Sequence, residues 1–214
     1  MVRPRSRPRP DRCLEKDLLQ NHEYVGGLDE VGRGALAGPV SVGLAIVGRC
    51  TDADFPEGLA DSKQLTARAR TGLIEPVHGW LVDHAVAHAS PAEIDEHGIV
   101  GALRMAGLRA LQQVADRGHA PGVIILDGVA DWLTAAQPDL LTALEGTHAP
   151  KDSPEPAEVP STPPVRMELK ADARCAVVAA ASVLAKVERD RLMADLDDPG
   201  YGWAANKGYA SPAH

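Results

Sequence analysis

The chain has 214 residues, of which 44% are hydrophobic, 24% charged and only 3% aromatic, and its formal net charge is −8. This length and composition favour a single globular domain with an aliphatic core and exclude a disordered chain. By itself the negative charge argues against a nucleic-acid partner, because phosphate binding needs local positive charge, but it does not exclude one.

The first predicted segment is a flexible basic tail over residues 1–20, because alternating Arg and Pro residues do not form a packed element. A single domain over residues 21–214 is predicted to follow it. Within this domain, short apolar runs of strand character alternate with helical patterns, which predicts an α/β layered fold. The predicted strands lie at 24–30, 38–48, 81–90, 122–127 and 165–170.

Two long helical patterns accompany these strands. The first follows Pro91 and has one apolar face, formed by Ile99, Leu103, Ala106, Ala110 and Val114. The second runs from about Ala173 to Met193, and its small residues at 179–182 are expected to allow close packing on a sheet. Before the last predicted strand, residues 147–164 are rich in Pro, and we expect a surface insertion there rather than a domain boundary.

The location of the protein is predicted from its cysteines and its N-terminal composition. Three widely spaced cysteines without a CxxC pattern argue against a disulfide framework and favour a reducing, cytoplasmic environment. No apolar run approaches membrane-spanning length, so no membrane partner is expected. The basic start of the chain lacks the apolar segment of a secretory signal.

Acidic residues end or follow several of the predicted buried strands. Asp29 and Glu30 follow VGGL, Asp127 follows VIIL, and Asp172 lies between the strand VRMELK and a helix. Taken singly, Asp127-Gly128 is a common turn and Asp172 a common helix cap. In combination, they predict a convergence of carboxylates at one edge of an open α/β sheet. Such oxygen ligands suit two Mg²⁺ or Mn²⁺ ions, which can activate the hydrolysis of a phosphodiester.

A glycine-rich turn directly follows the first acidic pair. Gly32 and Gly34 permit close approach of a nucleic-acid backbone and expose main-chain N–H groups. Arg33 between them can pair with a phosphate or with a catalytic carboxylate. GRG alone is usually only a turn, but its position after Asp29 and Glu30 makes it a more specific signal.

These motifs resemble the signatures of the ribonuclease HII family. The resemblance covers about residues 24–211, and its five motifs occur in the family order. They are GLDEVGRGALAGPV from Gly27, DSKQLT from Asp61, LDG from Leu126, KADARCAVVAAASVLAKVERDR from Lys170 and NKGYAS from Asn206. The resemblance implies a ribonuclease H-like mixed β-sheet flanked by helices, with a helical C-terminal part.

The resemblance also implies an activity and a set of residue roles. Members of this family are monomeric endoribonucleases that cut the RNA strand of RNA–DNA hybrids and cut 5′ of ribonucleotides embedded in duplex DNA, leaving 5′-phosphate and 3′-hydroxyl ends during replication and repair. The matching metal ligands and catalytic carboxylates are Asp29, Glu30, Asp127 and Asp172. The matching substrate-binding residues are Gly32, Arg33 and Gly34 for the 2′-hydroxyl, Lys63 for phosphate, and Tyr209 for the neighbouring deoxyribose.

Two features depart from the family pattern. The usual KGYGT is KGYAS here, and Ala210 is expected to shift Tyr209 slightly. The chain also ends at His214, where relatives usually continue, and we expect a missing helix to weaken substrate binding more than chemistry.

Several alternative functions stay open on the residues alone. A binding module without catalysis would usually have lost one of the four carboxylates, and another nuclease of the same fold would not be expected to carry both GRG and KGY. His84 and His88 share a strand, but further zinc ligands are not evident nearby, so surface or partly buried histidines are the favoured interpretation. Lys186 and Asp190 are predicted to form a surface i, i+4 pair.

Overall fold

The computed structural model describes residues 9–134, 162–212 and 214. The strands are β1 (Tyr24–Val31), β2 (Val40–Gly48), β3 (Asp83–Ala89), β4 (Val123–Asp127) and β5 (Val165–Glu168). The helices are α1 (Cys13–Leu18), α2 (Ala67–Trp80), α3 (Pro91–Asp116), α4 (Ala171–Arg174), α5 (Ala176–Asp195) and α6 (Trp203–Asn206), with a 3₁₀ turn at Ser62–Gln64. All five predicted strands and both long helical patterns are therefore confirmed as elements.

The five strands form one mixed sheet in the order β3-β2-β1-β4-β5. The β1–β2 and β2–β3 pairs are antiparallel, while β1–β4 and β4–β5 are parallel. Because successive side chains of a strand point to opposite faces, this sheet buries an apolar layer on each side. Val123 and Ile125 of β4 pack towards α5 and α2, whereas Ile124 and Leu126 pack towards α3. The predicted α/β architecture of a mixed sheet flanked by helices is confirmed.

Helix α5 lies unusually close to the middle of the sheet. A Cβ atom on Gly27 would come within 2.7 Å of the Val177 main chain, and one on Gly43 within 2.4 Å of the Ala181 carbonyl oxygen. Both glycines are therefore needed for this approach. The small residues at 179–182 are buried against the strands, as their composition predicts. This contact fixes the helix that passes beneath the acidic edge of the sheet.

The predicted tail of residues 1–20 is too long, because its second half belongs to the folded domain. Arg12 and Glu15 are buried, and Arg12 Nε donates to Glu15 Oε2 at 2.8 Å. Glu15 Oε1 also accepts a hydrogen bond of 2.7 Å from the Val177 amide in the first turn of α5. The charge of this segment suggested solvation, but the two charges neutralise each other and complete a helix terminus.

The predictions about the Pro-rich insertion, membrane spans and cysteines can be compared only with the described residues. The predicted insertion at 147–164 lies mostly outside the described residues, and the structure describes only its residues 162–164, which precede β5. Among the described residues, no helix combines the length and the apolar character needed to cross a membrane. The three cysteines are free thiols.

Candidate active site

The predicted acidic residues meet at one edge of the sheet because of the parallel pairing of β1 with β4. Leu28 is the register partner of Leu126, so Asp29 and Asp127 follow at neighbouring positions of adjacent strands. Strand alternation places both on the face covered by α5. Asp172 reaches the same edge from α4, which begins three residues after β5. The sequence-based convergence is therefore realised in the fold.

Asp29, like Asp172, has only 5% of its surface exposed. Burial raises its pKa to about 7, a hydrogen bond with Ser182 opposes this rise, and the charges of Glu30, Asp127 and Asp172 add to it. The four side chains are thus close enough to influence one another's ionisation. A cation bound among them would remove the repulsion and favour the charged form.

Asp172 shares this environment and has a lysine beside it. Its pKa is raised to about 6 by burial and by the nearby charges of Asp127 and Asp61. Lys63 Nζ lies 3.6 Å from Asp172 Oδ2. Burial lowers the pKa of Lys63, but Asp29, Asp172 and the other carboxylates raise it further than burial lowers it. The Lys63 ammonium therefore lies where the local charges attract a cation.

Asp127 is oriented by the main chain of the segment that carries Asp172. The Ala171 amide donates a hydrogen bond of 2.7 Å to Asp127 Oδ1. Lys170, the preceding residue, has a left-handed backbone conformation with φ 56° and ψ 44°. A left-handed conformation is unfavourable for a residue other than glycine, so tertiary contacts must stabilise it. The turn links the positions of two carboxylates.

The four carboxylates suit divalent cations by their donor chemistry, although their side chains are not arranged as a preformed metal site. Among the residues that the structure describes, no three Asp, Glu, His or Cys side chains are grouped so that they could hold a metal ion. The four carboxylates nevertheless supply only hard oxygen donors, which Mg²⁺ and Mn²⁺ prefer. Their mutual repulsion and the attracted Lys63 ammonium both indicate a site that lacks positive charge. Asp29, Glu30, Asp127 and Asp172 therefore fit the expected ions.

The glycine-rich turn forms one wall of a cleft of about 450 Å³ beside the carboxylates. Arg33 is half exposed, and one of its guanidinium nitrogens lies 3.4 Å from Glu30 Oε1. Of the two predicted partners, a phosphate or a catalytic carboxylate, the structure shows the carboxylate. Gly32 has a positive φ of 95°, and a Cβ atom there would lie 2.3 Å from Arg189 Nε. The residues lining this cleft include Asp29, Glu30, Gly32, Arg33, Gly34, Lys63 and Tyr209.

Tyr209 reaches this cleft from the C-terminal segment. Its hydroxyl accepts a hydrogen bond of 3.2 Å from the Gly32 amide. Lys186 Nζ lies 5.7 Å from the centre of its ring. The predicted pair between Lys186 and Asp190 is confirmed at 2.7 Å. Seven of the nine predicted site residues thus line one cleft, and the other two, Asp127 and Asp172, adjoin it.

Sequence reasoning missed three residues that support the site: Ser182, Ser62 and Arg189. Ser182 bonds with Asp29, and its hydroxyl oxygen lies 2.8 Å from the Ser62 hydroxyl oxygen, a hydrogen bond that joins α5 to the 3₁₀ turn at Ser62–Gln64. The hydroxyl at 182 within a run of alanines was the available signal, but it was interpreted only as a small residue. Arg189, the third, is fully buried beneath the glycine-rich turn.

The histidines of β3 have ordinary partners. His84 stacks on His78 with ring centres 4.1 Å apart, and His88 Nδ1 lies 2.7 Å from the Ser41 hydroxyl. Both are partly buried, which is one of the two predicted environments, and neither lines the cleft.

The sheet order, the acidic strand ends and the flanking helices define a nuclease of the ribonuclease H type. Two solved structures support this class. The ribonuclease H2 of Pyrococcus horikoshii is 27% identical, with a TM-score of 0.52 and coverage of 89% of this chain and 82% of its own. The ribonuclease HII of Archaeoglobus fulgidus, solved in complex with PCNA, is 26% identical, with a TM-score of 0.58 and coverage of 88% and 82%.

Sequence comparison identifies the family within this class. The family model of ribonuclease HII matches residues 26–214. The ribonuclease HII of Streptomyces avermitilis is 43% identical over 209 residues, which cover 96% of this chain and 76% of that protein. The chain belongs to the ribonuclease HII family. It is therefore an endoribonuclease that acts on RNA–DNA hybrids, and the chemistry of its family depends on divalent metal ions.

Proposed function

We propose that this enzyme hydrolyses the RNA strand of RNA–DNA hybrids and also cuts duplex DNA on the 5′ side of an embedded ribonucleotide, leaving 5′-phosphate and 3′-hydroxyl ends. The observation that carries this proposal is the geometry of the acidic edge: Asp29 and Asp127 lie on adjacent parallel strands, and Glu30 and the Lys63-paired Asp172 lie beside the same cleft as the glycine-rich turn. Charge repulsion at this edge of the sheet favours divalent cations, and the adjoining cleft gives a phosphodiester access to them.

We assign the metal ligands to Asp29, Glu30, Asp127 and Asp172. Two bound Mg²⁺ or Mn²⁺ ions would supply the activation of water and the neutralisation of the leaving 3′-oxygen. Asp29 and Asp127 set the spacing of the site through their adjacent strands, and the Ala171 amide orients Asp127. Lys63, whose side chain is largely exposed beside Asp172, is assigned to a phosphate of the substrate.

We assign recognition of the ribonucleotide to the turn formed by Gly32, Arg33 and Gly34. The 2′-hydroxyl is the group that distinguishes RNA from DNA at one nucleotide. A Cβ atom on Gly34 would meet nothing within 4 Å, so the turn is open to a substrate backbone. Tyr209 lies beside this turn and is assigned to the neighbouring sugar, where an aromatic ring favours deoxyribose over ribose.

The cellular setting is part of the same proposal. The free cysteines suit a reducing cytoplasm, and cleavage beside a single ribonucleotide suits its removal from DNA during replication and repair. By analogy with the family, the enzyme is proposed to act as a monomer.

The proposal is tested by cleavage of a labelled RNA–DNA hybrid with Mg²⁺, with Mn²⁺ and with EDTA. Wild-type enzyme should cut only with metal. Asp127→Asn removes a proposed metal ligand but no core packing, so it should retain its melting temperature and lose more than about 99% of the cleavage rate. The matched control is Asp195→Asn, at the exposed end of α5, which should cut like the wild type. Near-wild-type cleavage by Asp127→Asn would contradict the assigned ligands, and binding without cleavage by the wild type would indicate a binding module.

A further inference from the structure

Arg189 of α5 is an unusual buried cation. None of its surface is exposed, and burial lowers its pKa. Its guanidinium donates hydrogen bonds to main-chain carbonyl oxygens at distances of 2.8 Å to Pro39, 2.9 Å to Lys207 and 3.4 Å to Ala37. An apolar side chain would fill the same volume without the desolvation of a charge. The role of Arg189 therefore lies in the main-chain segments that its guanidinium joins by hydrogen bonds.

The carbonyl groups bonded by Arg189 belong to two segments that are far apart in sequence. Ala37 and Pro39 lie in the loop between β1 and β2, which begins with the glycine-rich turn. Lys207 lies in the segment after α6 that leads to Tyr209. The two segments also contact each other, since the Leu36 amide donates to the Gly208 carbonyl oxygen at 2.8 Å. Arg189 thus holds the 32–39 loop and the 206–209 segment together.

The same guanidinium lies directly behind both proposed recognition elements. Its Cζ atom is 5.5 Å from the centre of the Tyr209 ring, within the range of a cation–π contact. A Cβ atom on Gly32 would lie 2.3 Å from Arg189 Nε, so the glycine-rich turn rests on this side chain. The Tyr209 hydroxyl in turn accepts from the Gly32 amide at 3.2 Å. Arg189, Gly32 and Tyr209 therefore form a closed set of contacts.

We infer that Arg189 is a positioning residue that sets the distance between the glycine-rich turn and the Tyr209 ring, and so determines how strongly the enzyme prefers a ribonucleotide followed by deoxyribose. This inference rests on the proposed function, in which the turn binds the 2′-hydroxyl and Tyr209 contacts the next sugar. Arg189 itself touches neither substrate nor metal ligand in this scheme. Its effect is on discrimination between substrates rather than on the hydrolytic step.

The test compares kcat/KM on two substrates, a DNA duplex with one ribonucleotide and a uniform RNA–DNA hybrid. Their ratio is independent of the fraction of folded enzyme, because both rates come from one preparation. Arg189→Met removes the donors while keeping a long side chain, and the ratio should fall about tenfold, as expected for the loss of one aromatic contact. The control is Arg191→Met on the same helix, whose side chain is 79% exposed and which should keep the wild-type ratio.

A double-mutant cycle with Tyr209→Ala separates positioning from general support of the fold. If Arg189 acts through the ring, adding Arg189→Met to Tyr209→Ala should lower the ratio no further. Should Arg189→Met fail to fold, Arg189→Lys is used instead. It keeps the charge, but all its donors are on one nitrogen and cannot reproduce the bonds made by the three guanidinium nitrogens, so its ratio should also fall. Equal losses on both substrates with an unchanged ratio would overturn the inference while leaving the proposed function intact. A wild-type enzyme that shows no preference for the single ribonucleotide would overturn the inference and the role assigned to Tyr209, whereas failure to cut either substrate would overturn the proposed function.

Discussion

Replacement of Asp29 by Asn should stabilise the metal-free protein while it abolishes catalysis. Asp29 is 5% exposed, and its pKa is raised from an ordinary 3.8 to about 7, first by burial and then by neighbouring carboxylates. Above pH 7 the folded protein must therefore hold a buried negative charge that the unfolded chain exposes to water. Asn has nearly the same shape and carries no charge, and its carbonyl oxygen can still bond with Ser182.

The sign and size of the effect follow from proton binding. Between about pH 4 and pH 7, the unfolded chain has lost the proton of Asp29 while the folded chain retains it, so the stability of the wild type falls as the pH rises. One pH unit of difference in pKa corresponds to about 1.36 kcal/mol. The free energy of unfolding of Asp29→Asn should thus exceed that of the wild type by about 4 kcal/mol at pH 8, and this gain should shrink towards pH 4.

The measurement is urea denaturation in EDTA at pH 8 and pH 5, followed by circular dichroism. Asp195→Asn, at an exposed position of α5, is the matched control and should change the free energy of unfolding by less than about 0.5 kcal/mol. Addition of Mg²⁺ should stabilise the wild type more than Asp29→Asn, because the ion neutralises the charge that Asn lacks. A variant less stable than the wild type at pH 8, or a gain that is independent of pH, would refute the reasoning.

The remaining predictions concern specificity and the N-terminal helix. Tyr209→Ala should lower the preference for a ribonucleotide followed by deoxyribose about tenfold in competition assays with two labelled duplexes, and an unchanged preference would mean that the ring does not contact the sugar. Glu15→Gln leaves the buried Arg12 without its charge partner, so the free energy of unfolding should fall by about 3 kcal/mol in urea titrations. The exposed neighbour Lys16 supplies the control Lys16→Gln, and equal stability of the two variants would show that the buried pair contributes nothing.

The acidic edge of the sheet could be predicted because it depends on local sequence patterns. A run of apolar residues and glycines precedes Asp29 in β1, and an apolar run precedes Asp127 at the end of β4. Parallel pairing of adjacent strands then brings such ends together without further information. The separate motifs around Lys63 and Tyr209 joined this edge only through family resemblance, since nothing in their spacing along the chain indicates proximity.

The elements that sequence reasoning missed are those in which tertiary contacts override local signals. Helix α2 contains Gly72, Pro76 and Gly79, which usually indicate a loop, yet Thr66 caps its start and Leu73, Val77 and Trp80 pack into the core. The segment before residue 20 has few apolar side chains and was predicted to be a tail. It folds because its charges find buried partners on α5, and a linear sequence does not reveal such partners.

The buried position of Arg189 was equally inaccessible from the sequence. In a helix that also carries Lys186, Glu188, Asp190 and Arg191, one more arginine resembles part of a solvated surface. The loop between β1 and β2 and the chain after α6 together enclose it with carbonyl groups. A residue that supports a site without touching metal or substrate is thus identified from its contacts in the structure. Residues that bind metal or substrate can be identified from sequence motifs.

Cleavage of a labelled DNA duplex with one embedded ribonucleotide tests the central claim most directly. The duplex would be incubated with Mg²⁺, with Mn²⁺ and with EDTA beside an all-DNA duplex of the same sequence, and the product ends would be mapped. Metal-dependent cleavage on the 5′ side of the ribonucleotide, with the all-DNA duplex intact, is the predicted result. Cleavage of both duplexes would contradict recognition of the 2′-hydroxyl, and failure of a folded, metal-supplied enzyme to cut either would contradict the proposed activity.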